Sequence, residues 1–241
     1  MKQSLSSIIF IFFCELSFGQ YKVDTTLKAE YWRMFERLPE KVKKDKDTEF
    51  KSGMGILIGI KADTLNKKDL EPVDTSLKIF SINQETGEQE PLATNPSEAE
   101  TINVEHPQWL SCGCRFKGDT LEIYSGISLF SGFAVITKLT GDRAIALYTE
   151  HESEGKVFRT KLTNKKVSEF TIPATINSLT IDRRPSKGLK EIYGKMAVTT
   201  NGYYTYVNAW GFKHDYIYKR MQLQFYFHCD TKSSVQQAVL Q

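Results

Sequence analysis

The chain has 241 residues, with 32 lysines and arginines against 29 aspartates and glutamates, and a formal net charge of +3. Hydrophobic residues make up 40% of it and charged residues 25%, a composition that is typical of globular proteins and excludes a disordered chain. The excess positive charge is small and dispersed along the sequence, so we expect no nucleic-acid partner.

The first residues have the order of a secretory signal. Lys2 precedes an apolar run, Leu5 to Phe13, and the small residues Ser17 and Gly19 stand where signal peptidase reads. The run is too short to span a hydrocarbon core of about 30 Å, and no later stretch reaches about 18 apolar residues. We therefore expect a cleavable signal peptide at 1–19, no transmembrane segment in the mature chain, and a secreted or periplasmic location.

The mature chain begins with the pattern of an amphipathic helix at about 24–38. Asp24 is placed to cap it, and apolar residues recur at helical spacing as Leu27, Tyr31, Met34, Phe35 and Leu38. We expect Pro39 to break or bend this helix, with Lys41 to Lys46 as its solvated charged end, and we expect its apolar stripe to pack on a sheet. It is the one N-terminal helix of the predicted fold.

From residue 53 onward the pattern changes to the period-two alternation of β-strands. Gly118–Asp119 and Gly141–Asp142 predict two hairpin turns, and Asn201–Gly202 predicts a third, because a type I′ turn needs residues that tolerate positive φ. We predict a mainly β fold, either an antiparallel sandwich or a barrel-like domain, with one N-terminal helix.

The expected domain spans 20–232 as a single β-rich unit. Its longest loop is predicted at about 83–103, where Glu, Thr, Pro and Asn dominate the sequence. The polar residues 233–241 are predicted to form a frayed tail.

Three cysteines remain after the predicted signal, Cys112, Cys114 and Cys229. Strand alternation places all three on apolar faces and turns His228 the other way. Since inward cysteines tend to pair in an oxidising compartment, we predict a Cys114–Cys229 disulfide, with Cys112–Cys229 as the alternative. The inward direction of the sulfurs argues against a three-thiolate metal site and against a redox-active C-x-C pair, and we expect no metal or cofactor.

Aromatic residues are concentrated at 203–218. Tyr204, Tyr206 and Trp210 are expected to share one side of this segment, where they could stack on a sugar or receive a partner. The alternative is a middle strand that is buried on both faces. No pairing of histidines, carboxylates or nucleophiles in the sequence matches a catalytic motif, so we assign no catalytic residue and do not expect an enzyme.

Two segments resemble a group of short exported proteins of Bacteroidetes. Trp109–Phe133 contains Cys-Gly-Cys, then Lys-Gly-Asp-Thr-Leu-Glu-Ile and a glycine-aromatic segment, and Phe225–Lys232 contains Phe-His-Cys. The signal ending in Ser-Phe-Gly-Gln is also similar to those of the group. The resemblance implies a secreted or periplasmic β-rich domain and carries no functional residue over to this chain.

Taken together, these patterns predict an exported cell-envelope or secreted protein with a binding or structural role. One alternative is a small-ligand or glycan-binding β domain that uses the aromatics of 203–218. Another is a hydrolase whose site the sequence does not reveal. The expected partners are an envelope component or a glycan.

Overall fold

A computed structural model describes the residues 19–49, 53–65, 80–82, 89–91, 108–128, 131–207 and 215–231. Residues 1–18 of the predicted signal, the predicted tail and most of the predicted loop at 83–103 lie outside the described residues. The part of that loop that is described contains a short strand, Gln89–Pro91, which pairs with Phe80–Ile82.

The elements within these ranges are two helices and fourteen strands. The helices are α1 (Leu27–Phe35) and α2 (Glu40–Glu49). The strands are β1 (Gly19–Gln20), β2 (Lys22–Val23), β3 (Gly53–Leu65), β4 (Phe80–Ile82), β5 (Gln89–Pro91), β6 (Gln108–Lys117), β7 (Thr120–Ser128), β8 (Ser131–Thr140), β9 (Arg143–Glu152), β10 (Phe158–Arg159), β11 (Glu169–Ile181), β12 (Glu191–Thr200), β13 (Tyr203–Val207) and β14 (Asp215–Asp230).

Eight of these strands close into an antiparallel barrel. They follow one another around it in chain order, β3-β6-β7-β8-β9-β11-β12-β14, and β14 pairs back with β3 from Cys229 opposite Gly53 to Tyr218 opposite Leu65. The predicted barrel-like form is therefore confirmed. The sandwich form is wrong, because the β9–β11 and β14–β3 pairings join the strands into one continuous wall.

The two ends of the barrel have different connections. At the cross-linked end lie the Gly118–Asp119 and Gly141–Asp142 turns and the segment 182–190. At the loop end lie the longer connection 153–168 and the residues 201–202 between β12 and β13. We use these two names for the ends below.

The two hairpins predicted at the cross-linked end are confirmed. Lys117 pairs with Thr120 around the first turn, and Gly118 adopts a φ of 63°, which favours glycine. The second turn has the same arrangement, with Gly141 at a φ of 58°.

The hairpin predicted at Asn201–Gly202 is wrong. The strands on either side of it, β12 and β13, pair in succession with the same strand, β14. The Asn201 amide donates to the Pro173 carbonyl at 3.1 Å, and the Met221 amide donates to the Thr200 hydroxyl at 2.9 Å. The chain therefore makes a local irregularity along one edge of β14 and does not reverse.

Two hydrophobic cores lie on opposite sides of the barrel wall. Residues of the inner faces fill the barrel, among them Leu121, Ile123, Phe225 and Phe227. The outer core lies between α1 and the outer faces of β3, β12 and β14. The predicted packing of the helix on the sheet is confirmed by the burial of the whole apolar stripe, Leu27, Tyr31, Met34, Phe35 and Leu38.

The N-terminal region differs from its prediction in two details. Thr26 is the residue that precedes α1, and Asp24 accepts hydrogen bonds from the Thr26 amide at 2.9 Å and hydroxyl at 2.7 Å. Asp24 thus stabilises the turn before the helix rather than capping it. A second helix, α2, follows Pro39 where a charged extension of the first was expected. Neither helix is long and apolar enough to cross a membrane, within the residues described.

Candidate ligand-binding site

Four tyrosines share one face of the β13–β14 ribbon at the loop end. The register places Tyr204 opposite Tyr218 and Tyr206 opposite Tyr216, and directly opposed residues of antiparallel strands point to the same side. Their ring centroids are 5.3 Å and 5.6 Å apart in the two pairs. All four side chains are half-buried. We call these four residues the tyrosine face.

For this surface the structure shows the directions of the aromatic side chains, and ligand binding by Tyr204, Tyr206 and Trp210 stays a prediction. Tyr204 and Tyr206 do lie on one side of β13, while Tyr203, which precedes them, points inward and is fully buried. Trp210 lies outside the described residues. The other two members, Tyr216 and Tyr218, come from the neighbouring strand and complete a larger surface than alternation within one segment predicts.

Gly202 sets the position of the Tyr218 ring. A Cβ atom built on Gly202 would lie 1.7 Å from the Tyr218 hydroxyl oxygen and 1.9 Å from its Cζ atom. The ring therefore occupies the space that any side chain at 202 would need. Glycine is required here by this close approach, since its φ is not among the positive values of the described glycines.

Two cationic side chains lie over the tyrosine face. The Lys166 ammonium is 4.4 Å from the Tyr206 ring centroid and 5.5 Å from that of Tyr216. The Arg159 guanidinium is 4.5 Å from the Tyr216 centroid, and its Nη1 donates to the Leu162 carbonyl at 2.6 Å. Attraction between a cation and the negative face of an aromatic ring holds both groups there.

Directly behind this surface, a carboxylate faces the barrel interior. The Tyr148 hydroxyl donates to Glu150 Oε2 at 2.7 Å, and the Tyr203 hydroxyl donates to the same oxygen. Lys219 Nζ lies 3.3 Å from Glu150 Oε1. The Lys219 and Glu150 side chains are only 15% and 16% exposed, so this is an ion pair largely withdrawn from water.

The two tyrosines of this cluster act as fixed donors. Burial, followed by the Glu150 charge, raises the pKa of Tyr148 well above its ordinary value. Burial likewise raises the pKa of Tyr203, with neighbouring Tyr148 and Glu150 adding to the effect. Both hydroxyls therefore keep their protons at any physiological pH. With both oxygens of Glu150 engaged by donors, its carboxylate is a poor general acid or base.

The sequence analysis did not identify Glu150 and Lys219, although alternation contains the signal for both. Ala144, Ala146 and Tyr148 face inward on β9, and the next inward position is Glu150. On β14, Met221 faces inward, so Lys219, two residues earlier, is expected to face inward as well. Alternation therefore turns both opposite charges toward the interior, and the closed barrel brings Lys219 Nζ to 3.3 Å from Glu150 Oε1.

The cysteines lie at the opposite end of the barrel. Cys114 and Cys229 form the predicted disulfide, with their Cα atoms 5.8 Å apart, and Cys112 is a buried free thiol. The alternative Cys112–Cys229 pairing is wrong. The three-thiolate and redox-pair interpretations of the C-x-C segment are wrong as well, because one of its two sulfurs is bonded to β14.

Cys112 has the properties of an inert thiol. Burial raises its pKa to about 12, and its sulfur lies 3.6 Å from the Ser125 hydroxyl oxygen. A thiol with so high a pKa carries almost no thiolate at neutral pH and is a weak nucleophile. Within the described residues, no three His, Cys, Asp or Glu side chains are arranged to hold a metal ion.

The prediction that His228 points away from the sulfurs is confirmed. Its ring stacks on Tyr193 on the outer side of the wall, with centroids 4.3 Å apart, and contacts Tyr31 of α1 at 5.7 Å. Its Nε2 lies 3.4 Å from Glu191 Oε2. Burial lowers the pKa of His228, so the neutral ring is the form that holds the helix to the barrel.

A groove of about 770 Å³ opens at the cross-linked end beside 186–190. The cations along it are largely compensated, since Arg183 pairs with Asp182 at 2.7 Å and Lys187 pairs with Asp119 at 2.8 Å. These ion pairs hold the segment to its neighbours and leave the groove with little preference for a charged ligand. The loop end therefore presents the stronger candidate site.

Comparison of the chain with protein-family models, with curated proteins and with solved structures gave no significant match.

Proposed function

We propose that this protein is an exported binding protein whose tyrosine face binds a saccharide. The observation that carries the proposal is the set of four half-buried tyrosines held in register on one side of the β13–β14 ribbon. Tyrosine combines a flat apolar ring with a polar hydroxyl, which suits a sugar, since sugar rings have apolar C–H faces and a rim of hydroxyls. The ends of β-barrels are also common places for ligand sites.

The Glu150 cluster, inside the barrel at the loop end, agrees better with a binding role than with a hydrolytic one. Hydrolysis of a glycosidic bond uses two carboxyl groups that can exchange protons. Glu150 has both oxygens occupied by Tyr148, Tyr203 and Lys219, and such a saturated group serves to fix the positions of its neighbours. We therefore assign the Glu150 cluster a supporting role beneath the tyrosine face.

Export is the part of the proposal that comes from the sequence. The pattern of residues 1–19 is that of a cleavable signal, and a structural disulfide such as Cys114–Cys229 is typical of secreted and periplasmic proteins. A secreted or periplasmic protein of this kind would meet the polysaccharides of the cell envelope or its surroundings. Edman sequencing or mass spectrometry of exported material tests the signal, with Gln20 as the expected first residue.

The binding proposal is tested by a glycan array followed by titration of the full mature protein with the best array ligand. The double variant Tyr204→Ala/Tyr206→Ala should lose at least about tenfold in affinity, because aromatic stacking is worth on the order of 1 kcal/mol or more per ring. Tyr124→Ala is the matched control, since Tyr124 is a half-buried tyrosine on β7, and it should bind like the parent.

A second variant tests the geometry without removing a tyrosine. Gly202→Ala places a methyl group where the Tyr218 ring lies, so the ring must move. Because the clashing atoms are at the far end of the flexible Tyr218 side chain, the ring can move without disturbing the backbone. We expect weaker saccharide binding with an unchanged circular dichroism spectrum. Absence of any saccharide ligand, or full binding by the double tyrosine variant, would overturn the proposed function.

A further inference from the structure

The segment beside the tyrosine face is strongly basic. Residues 156–166 read Lys-Val-Phe-Arg-Thr-Lys-Leu-Thr-Asn-Lys-Lys and contain no aspartate or glutamate. Its cations are Lys156, Arg159, Lys161, Lys165 and Lys166, of which the four lysines are exposed. We call residues 156–166 the basic loop.

The basic loop has a defined conformation. Its ends are joined by backbone hydrogen bonds in both directions between Phe158 and Val167, at 3.0 Å and 2.9 Å. Its tip is fixed by the Asn164 amide donating to the Lys161 carbonyl at 2.9 Å and by Asn164 Nδ2 donating to the Thr160 hydroxyl at 2.7 Å. The positive charges are thus presented on an ordered turn, which lowers the entropy cost of binding to them.

The charges of the basic loop are not compensated by the residues that the structure describes. None of its five cations forms an ion pair with a described residue. Several cations elsewhere in the described chain do form ion pairs, such as Lys28 with Glu191 at 2.6 Å and Arg115 with Glu122 at 3.1 Å. Concentrated, unpaired charge of one sign at the rim of a site raises the local concentration of ligands of the opposite sign.

The basic loop and the tyrosine face form one continuous surface. Phe158–Arg159 pairs with β13 in register with Tyr204 and Thr205, and the Tyr206 amide donates to the Val157 carbonyl at 2.8 Å. Lys166 and Arg159 reach from the loop onto the tyrosine rings. A ligand that contacts the tyrosines therefore contacts the cations as well.

Arg159 has one guanidinium donor that the described residues do not use. Its Nη1 is bonded to the Leu162 carbonyl, but its Nε is buried without a hydrogen-bond partner among the described residues. A guanidinium gains most from an oxyanion, since carboxylates and sulfates can take two of its donors at once. Its position over Tyr216 places this donor beside the ring.

We propose that the ligand of this surface is an acidic polysaccharide, carrying carboxylate or sulfate groups along a chain of sugar rings. The inference depends on the proposed function and narrows its ligand class. Sugar rings would contact the tyrosine face while the acidic groups pair with the basic loop, with Lys165 and Lys166 nearest the rim. The +3 charge of the whole chain is mild, so this local concentration, and not the net charge, attracts the ligand.

An anionic membrane is the less favoured partner for this surface. Membrane-binding surfaces combine basic residues with exposed apolar side chains that enter the lipid. Among the described residues the only large hydrophobic side chain that is exposed is Val23, which pairs with Ile181 at the cross-linked end. A single-stranded nucleic acid also combines flat rings with negative charge, so it is included in the test.

The test titrates the mature protein with hexagalacturonate, with neutral xylohexaose and with a dT oligonucleotide, each in 50 mM and 200 mM salt. We expect hexagalacturonate to bind most tightly and to weaken as salt rises, because its contacts are ionic. The double variant Lys165→Gln/Lys166→Gln should lose roughly tenfold or more in affinity. Lys117→Gln/Lys187→Gln removes two exposed lysines of the cross-linked end and should bind like the parent.

The outcomes separate this inference from the proposed function. Tight binding of xylohexaose that depends on Tyr204 and Tyr206 but not on Lys165 and Lys166 overturns the acidic ligand class and leaves the saccharide proposal standing. Tighter binding of the dT oligonucleotide than of hexagalacturonate also overturns the inference. Failure of both saccharides, together with an empty glycan array, overturns both proposals.

Discussion

The two ends of the barrel differ in their connections and in the side chains that they present. At the cross-linked end, two-residue turns join β6 to β7 and β8 to β9, a disulfide bridges β6 and β14, and the segment 182–190 is tied to both turns by the Arg184–Asp142 and Lys187–Asp119 pairs. At the loop end lie the long connection 153–168, the Glu150–Lys219 ion pair and the tyrosine face. The five cations of the basic loop, which form no ion pair with a described residue, lie there as well.

The difference indicates that the cross-linked end stabilises the barrel and that the loop end provides the binding surface. The disulfide holds the barrel wall covalently at one end, so loops at the other end can vary while the barrel stays closed. Binding residues are commonly placed on loops that a rigid scaffold positions in this way. The following predictions test whether stability and binding are separated in this way.

Removal of the disulfide should have the largest effect on stability. The Cys114→Ser/Cys229→Ser variant opens a link that spans 115 residues, and the chain-entropy account values such a link at about 4–5 kcal/mol of unfolding free energy. Urea unfolding followed by tryptophan fluorescence measures it. Where the protein stays folded, saccharide affinity should be unchanged.

The matched control for the disulfide is Cys112→Ala. It removes the third sulfur, which is buried and unbonded, and should cost about 1 kcal/mol or less, as a small change in core volume does. Equal losses for the control and for the double variant would show that core packing, and not the cross-link, stabilises this end.

At the loop end, Glu150→Ala should be the most destabilising single change. It leaves Lys219 and two tyrosine hydroxyls without their acceptor in a largely dry site, and breaking a buried pair costs about 3–5 kcal/mol. Asp142→Ala is the control, because its pair with Arg184 is exposed on both sides and exposed ion pairs contribute little to stability. Denaturant midpoints that match for the two variants would contradict the buried ion pair.

Acidification should give the smallest loss of unfolding free energy, and this loss should come from His228 in the outer core. The pKa of His228 is lowered from about 6.5 by burial, so the unfolded chain takes up the proton before the folded one does. His228 therefore contributes stability that is complete above pH of about 6.5 and is lost as the pH falls below it. Urea unfolding at pH 7.5 and pH 5.5 measures this loss.

His228→Gln isolates the contribution of the ring. Glu191 and Asp230 favour its protonated form, and Lys28 disfavours it. Glu191 has its own pKa lowered below 4.5 by the Lys28 hydrogen bond, so it titrates beneath this window. A difference between the two pH values that persists in His228→Gln would assign the effect to another group.

Period-two alternation explains what the sequence predicted correctly. It placed Cys114 and Cys229 inside and His228 outside, because in a strand with one apolar face each side chain's direction follows from its neighbours two residues away. The same reasoning gave the common side of Tyr204 and Tyr206. These predictions of side-chain direction succeeded because one strand carries all the information that they need.

The predictions that failed depend on which strands meet. Alternation is the same in a sandwich and in a barrel, so the β14–β3 closure could not be foreseen from it. The Asn201–Gly202 signal failed because glycine was read as a turn residue, whereas Gly202 makes room for the Tyr218 ring of another strand. Glu150 and Lys219 come from strands 69 residues apart, and only the folded barrel shows that they pair.

The pairing of the first and last barrel strands also determines when the barrel can form. Gly53 of the first barrel strand pairs with Cys229 of the eighth, so the ring stays open until the last of these strands has been synthesised and has found its place. Until then β3 and β12 each present an unpaired edge, and contacts so distant in sequence slow folding. An incomplete chain would thus be prone to aggregation, and a chaperone that covers these two edges until β14 is in place would prevent it.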